Sequence, residues 1–135
     1  MKSYRIELSC SDENWWRYNV VMTAEGLDSA GNRCGYHAVE DRIAETGERP
    51  AERPADYPAD RITRLECGPC ERLQLYLYIL PHCLPAAVET EHTPPFPARL
   101  RLFCDGKPHL ERTIDVNPWG GYAGFFEWEE RLSAN

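Results

Sequence analysis

Cys67-Gly68-Pro69-Cys70-Glu71-Arg72-Leu73-Gln74-Leu75-Tyr76-Leu77-Tyr78-Ile79 decides the fold, because its second half can be read as a strand or as a helix. Leu73, Leu75, Leu77 and Ile79 alternate with Arg72, Gln74, Tyr76 and Tyr78 as far as Pro81. That period of two puts successive side chains on opposite faces of a strand. A helix would line up Leu73, Tyr76, Leu77 and Leu80, but it would be apolar nearly all round and bounded by Pro81 and Pro85. The aromatic enrichment favours the strand, and Gly68-Pro69 then reads as a sharp turn leading into it.

The same period recurs toward both ends. Tyr4, Ile6, Leu8 and Cys10 alternate with Arg5, Glu7 and Ser9, while Trp16, Tyr18, Val20 and Met22 alternate with Arg17, Asn19, Val21 and Thr23. The polar Ser11-Asp12-Glu13-Asn14 between them has turn chemistry, so the pair reads as a hairpin. Later, Leu100, Leu102 and Cys104 alternate with Arg99, Arg101 and Phe103, Asp105-Gly106 follows, and Leu110, Arg112, Ile114 and Val116 return. Asp-Gly between alternating runs signals a hairpin because both central residues of the turn need positive φ. A last strand is predicted around Tyr122 to Trp128, after Asn117-Pro118-Trp119-Gly120-Gly121.

Between Glu25 and Asp60 the alternation dissolves. Tyr36, Val39 and Ile43 have the spacing of one short helix closed by Gly47. Arg49-Pro50-Ala51-Glu52, Arg53-Pro54-Ala55-Asp56 and Tyr57-Pro58-Ala59-Asp60 form an imperfect repeat. Its prolines exclude helix and central strand, so residues 44–60 are expected to be an exposed loop of extended chain. The expected fold is therefore all-β: one domain over residues 1–135, built as an antiparallel two-sheet β-sandwich. In general architecture it is immunoglobulin-like or C2-like, with the proline-rich insertion between the second and third of these strands.

A chain of 135 residues suffices for one hydrophobic core. No apolar run approaches the roughly 18 residues of a membrane span. The opening Met1-Lys2-Ser3-Tyr4-Arg5-Ile6-Glu7-Leu8 alternates charged and apolar residues where a signal peptide needs an unbroken apolar stretch, so a cytoplasmic location is expected. A net charge of −7 without a Lys/Arg cluster argues against nucleic-acid binding, which depends on neutralising phosphates.

The six cysteines, at 10, 34, 67, 70, 83 and 104, allow three kinds of chemistry. Cys67-Gly68-Pro69-Cys70 resembles the active-site tetrapeptide of the thioredoxin family. That resemblance implies a thiol-disulfide oxidoreductase with Cys67 as nucleophile, Cys70 as resolving thiol and a helix after the motif. Glu66 stands where that family usually has an aromatic residue. A second reading adds Cys34-Gly35-Tyr36-His37, a pair of turns that resembles the knuckles of a zinc ribbon and offers Cys34, His37, Cys67 and Cys70 to a tetrahedral zinc ion. In the third, the cysteines are small buried hydrophobes, as Cys10 and Cys104 on the apolar faces of their strands suggest.

His37, His82, His92 and His109 show neither a triad pattern nor metalloprotease spacing. Asp12, Glu13 and Asn14 have the oxygen ligands that would suit calcium at a sandwich rim, and here the resemblance is to C2-type domains. Trp15, Trp119, Tyr122 and Phe125 fall near predicted loops or opposite the core pattern, where large aromatics could form a platform for a sugar ring or a partner protein. The alternative is that Trp119 caps one end of the sandwich and Trp15 or Trp16 fills the core. Tyr76 and Tyr78 would line the second face of a central strand. The function expected from these residues is a non-enzymatic binding or protein-interaction module, with Trp15, Trp119 and Tyr122 as binding residues and a protein or small ligand as partner. The alternatives are the zinc-stabilised domain and the thioredoxin-like enzyme.

Overall fold

The computed structural model describes residues 2–43, 53–58, 60–82 and 94–129. Among the described residues eight strands run in order: β1 (Lys2–Ser9), β2 (Tyr18–Leu27), β3 (Arg33–Asp41), β4 (Ile62–Cys70), β5 (Arg72–Pro81), β6 (Phe96–Cys104), β7 (Lys107–Val116) and β8 (Tyr122–Glu129). They form two four-stranded sheets, sheet A in the order β4-β1-β6-β7 and sheet B in the order β3-β2-β5-β8. Every pairing is antiparallel. The all-β, two-sheet sandwich expected from the alternation is the fold observed. Among the described residues the only helical element is a 3-10 turn, Trp15–Arg17, and no helix is long and apolar enough to cross a membrane.

The alternating apolar residues meet between the sheets. Leu73, Leu75, Leu77 and Ile79 of β5 are 0% exposed and pack with Val20, Met22 and Ala24 of β2. Across the interface lie Ile6 and Leu8 of β1 with Leu100 and Leu102 of β6. Each such side chain contributes about 1.5–3 kcal/mol by leaving water, so this interface dominates the stability. Asp105 and Gly106 take φ of 50° and 82°, the left-handed pair that the β6–β7 turn requires.

Four local expectations are corrected. β1 and β2 do not form a hairpin, because they belong to different sheets, and the connection between them carries Trp15 and Trp16 inward. The helix expected from Tyr36, Val39 and Ile43 is instead strand β3: pairing with β2 from Val20↔Asp41 to Leu27↔Arg33 satisfies its backbone and overrides a weak helical spacing. Gly47 lies outside the described residues. Ile62-Thr63-Arg64-Leu65 opens edge strand β4, whose inward residues are Thr63, Leu65 and Cys67. Of the proline-rich loop, residues 44–52 and 59 lie outside the description. Residues 53–58 hold a turn closed by Tyr57 N–H donating to Pro54 O at 3.1 Å. The insertion therefore joins β3 to β4, with two strands more around it than the alternation shows.

The fourth correction concerns Cys67-Gly68-Pro69-Cys70. It is the end of β4 rather than a free turn, and the register against β1 passes from Tyr4↔Cys67 to Lys2↔Cys70 with one residue too many on β4. That bulge bends the strand. Proline is tolerated because β4 is an edge strand and loses no ladder bond there. The chain then crosses to sheet B, where Glu71 N–H donates to Leu27 O at 2.9 Å and β5 begins.

Arg61, just before β4, ties the layers together at this end. It is buried, its Nε donates to Asp41 Oδ2 at 3.0 Å, and its terminal nitrogens donate to Trp15 O at 3.0 Å and Tyr18 O at 2.9 Å. Thr63 Oγ1 donates to the same Asp41 oxygen at 2.6 Å. Asp41 is thus both an ion-pair partner and an acceptor, which a buried guanidinium needs if its charge is not to be stranded.

Candidate functional site

The outer face of sheet B is where the surface chemistry departs from that of a solvated sheet. Along β5 the residues that alternate with the buried leucines are Gln74, Tyr76, Tyr78 and Leu80, and the last three are 40%, 38% and 46% exposed. Strand register extends them sideways. Thr23, Tyr76 and Phe125 lie in one row, and Val21, Tyr78 and Ala123 in the next. Phe125 is 49% exposed, and its ring centroid is 4.9 Å from that of Tyr76 at an interplanar angle of 48°. The result is an aromatic and aliphatic patch across the central and edge strands β2, β5 and β8. Exposed apolar groups that touch one another mark interaction surfaces more often than singly scattered ones do.

Polar residues rim this patch. The row beyond Tyr76 is Glu25, Gln74 and Glu127, in which Gln74 Nε2 donates to Glu127 Oε2 at 2.7 Å and Arg33 pairs with Glu25. On the β3 side Arg42 Nε donates to Glu40 Oε2 at 3.0 Å. An apolar centre inside a polar rim is the usual anatomy of a recognition patch.

Of the three residues expected to bind, Trp15 is corrected: it is 2% exposed, stacked on Tyr18 at 6.0 Å and edge-on to Phe96 at 6.4 Å, with the Arg61 guanidinium 5.1 Å from its ring. It fills the core and cannot present a platform. Tyr122 lies on the inward side of β8 and packs against the core. Trp119 is half-buried in the β7–β8 connection, where Asn117 Oδ1 accepts from the backbone N–H groups of Trp119 at 2.8 Å and Gly120 at 3.1 Å. The three share no exposed face. Phe125, from the wider aromatic set, does join Tyr76 and Tyr78. The signal that could have found the patch was the tyrosine half of the β5 alternation, in which both faces of one strand are rich in large side chains.

The expected metal residues gather around the β4 bulge without converging on one point. His37 Nε2 accepts from Gly68 N–H at 3.3 Å, and Cys34 Sγ donates to Pro69 O at 3.7 Å, so both side chains meet backbone. Among the described residues, no three His, Cys, Asp or Glu side chains come close enough together to hold a metal ion. Burial pushes the Cys67 thiol up to about 12, with Cys70 beside it acting in the same direction, and strand β5 stands where the thioredoxin arrangement has a helix. A thiol held protonated by burial is a poor nucleophile.

A concavity of about 760 Å³ opens at the Ser9–Ser11 end of sheet A and includes Cys10, Arg61, Arg99 and Thr113. Three of its polar groups are committed elsewhere. Cys10 Sγ donates to Pro97 O at 3.3 Å with its pKa raised by burial, Arg61 is bound as described, and Arg99 pairs with Glu111 at 2.7 Å.

No protein-family model matches the chain, and comparison with curated proteins finds no match. Among solved structures the chain is similar to a DUF4425 family protein from Bacteroides ovatus ATCC 8483, at 9% identity, with 94% of each chain covered and a TM-score of 0.46.

Proposed function

We propose that this protein is a non-enzymatic binding or interaction module whose ligand, a protein or a small molecule, docks on the outer face of sheet B. The observation that carries the reading is the contiguous exposed set Tyr76, Tyr78, Leu80 and Phe125 on a chain of net charge −7. Large rigid aromatics gain contact area at small entropic cost, and tyrosine is among the residues enriched at binding hot spots. The patch is also held by the rigid part of the fold, because β5 is a central strand whose other face buries Leu73, Leu75, Leu77 and Ile79.

The test compares the wild-type chain with Tyr78→Ser/Phe125→Ser, both immobilised, in capture from a lysate of the native source and on a glycan array. The expected result is a protein or sugar retained by the wild type and lost by the double variant. Equal retention by both would remove the patch from the binding site. Circular dichroism on the variant keeps a loss of binding distinct from a loss of fold.

A further inference from the structure

We infer that Cys34 and Cys70 form a redox-active pair, which closes as a disulfide across one lateral edge of the sandwich when the protein meets a low-molecular-weight disulfide such as oxidised glutathione. β3 and β4 are edge strands of different sheets, and they pack against each other along the same side of the sandwich. Each carries a bulge at the position that matters. On β3, Cys34 is the extra residue between Gly35, opposite Gly26, and Arg33, opposite Leu27. On β4, the extra residue falls between Cys67 and Cys70.

Gly26 marks a point that both sulfurs border. A β-carbon at Gly26 would sit 2.8 Å from Cys70 Cβ, 3.2 Å from Cys70 Sγ and 3.7 Å from Cys34 Sγ. Both thiols therefore border the space in front of one glycine, which no other residue would leave open. The Cys34 hydrogen bond to Pro69 O places its sulfur beside the peptide that leads into Cys70. Cys34 is exposed, so a change of χ1 can carry its sulfur toward Cys70 or toward solvent.

The two environments assign the order of events. Cys34 is accessible to a soluble disulfide, whereas Cys70 is 0% exposed. The Cys34 thiolate attacks one sulfur of oxidised glutathione, the S–S bond of that molecule breaks, and one glutathione leaves as a thiol. Cys70, buried like Cys67 but now facing a disulfide sulfur held beside it, gives up its proton and attacks Cys34 Sγ in an intramolecular step whose proximity offsets its weak nucleophilicity. The Cys34–Cys70 bond forms and the second glutathione leaves. Two protein thiols are oxidised by two electrons, one glutathione disulfide is reduced to two thiols, and the protons of Cys34 and Cys70 end on glutathione. The redox partner of Cys70 is thus Cys34, distant in sequence, and not Cys67 of the same tetrapeptide.

The experiment treats the full chain, reduced and freed of reductant, with increasing oxidised glutathione, followed by intact mass and tryptic mapping. The expected product has lost two hydrogens and links the Cys34 peptide to the peptide Leu65–Arg72, and a phosphine reductant reverses it. That second peptide holds both Cys67 and Cys70, so Cys67→Ala must still form the link, and fragmentation of the linked peptide assigns the sulfur even if this variant folds poorly. Oxidation should raise Tm in the wild type and leave Cys34→Ser unchanged. A stable glutathione adduct on Cys34 with no internal link, a link through Cys67 or any other cysteine, or thiols that do not react at all would each overturn the pair.

Discussion

On the outer face of sheet A, Glu7 is gripped by three guanidinium groups, whereas the row Thr23–Tyr76–Phe125 on sheet B carries two aromatic rings and no charge. Arg5 Nε and Arg64 Nε approach Glu7 Oε2 at 3.1 and 2.8 Å, and Arg101 reaches Oε1 at 3.3 Å. Sheet A also has an aromatic residue on this face, Phe103, but Arg5 and Arg101 lie 4.3 and 5.6 Å from its ring centroid. Among the described residues no guanidinium covers Tyr76, Tyr78 or Phe125. One face therefore pairs its charges with one another, although among the described residues Arg5 Nε and Arg101 Nε find no hydrogen-bond partner, and the other leaves apolar area exposed. A solvated sheet face needs polar residues but not aromatic ones, and this contrast is what supports sheet B as the proposed docking face.

The largest expected effect comes from breaking sheet A. Glu7 is almost fully buried, while its three arginines are one-third to one-half exposed. Glu7→Ala would leave three like charges clustered with no counter-ion, at a cost of about 3 kcal/mol in urea unfolding, the low end for a broken buried pair because the arginines keep some water. A loss under about 1 kcal/mol would mean that the network is only a solvated surface cluster.

Sheet B should answer in the opposite way. Tyr78→Ser is expected to change unfolding stability by no more than about 1 kcal/mol, the scale of cross-strand pairs, while weakening a captured partner about tenfold or more. A large stability loss with intact binding would make the aromatic face structural and erase the contrast. A smaller effect sharpens it: a double-mutant cycle on Tyr76 and Phe125 should give a coupling of about 0.5 kcal/mol, the magnitude of a tilted aromatic pair. Zero coupling would mean that the two rings act as separate contacts rather than as one surface.

How much of this could be read from the residues follows from which interactions are local. β5, β1, β6 and the Asp105-Gly106 turn were legible because each has a strong period of two or a turn that only certain residues can make. β3 was not, since Arg33–Asp41 has few apolar residues and exists through its ladder with β2. The Cys67–Cys70 bulge looks like a turn in sequence because a bulge and a turn use the same Gly-Pro chemistry, and only the register against β1 separates them. Trp15 could not be assigned to core or surface, because its burial depends on Arg61 and Phe96, residues far along the chain. The aromatic face was half legible: Tyr76 and Tyr78 were visible on the second face of a strand, but their company with Phe125 required knowing that β8 pairs with β5.

The faintest effect belongs to the end of sheet B and not to either face. His82 follows β5, its backbone N–H donates to Arg17 O at 2.9 Å, and its ring Nε2 lies 2.8 Å from Trp16 O. Its pKa is lowered from the ordinary 6.5, first by burial, against the opposing pull of the Trp16 carbonyl and with smaller help from the nearby Arg61 and Arg17 charges. Between that lowered value and 6.5 the unfolded chain binds more protons at this residue than the folded one, so folding stability rises with pH across that window. In the direction of acidification, stability begins to fall as pH drops through about 6.5 and stops falling below the folded value, before most carboxylates titrate. His82→Gln keeps an N–H to donate to Trp16 O and cannot titrate. Urea midpoints at pH 7.5 and 5.5 should therefore differ for the wild type and converge for His82→Gln, while Tyr78→Ser, which alters the aromatic face alone, should keep the wild-type difference. A pH slope that survives in His82→Gln would move the titrating group elsewhere and leave the end of β5 as insensitive to protons as the two faces.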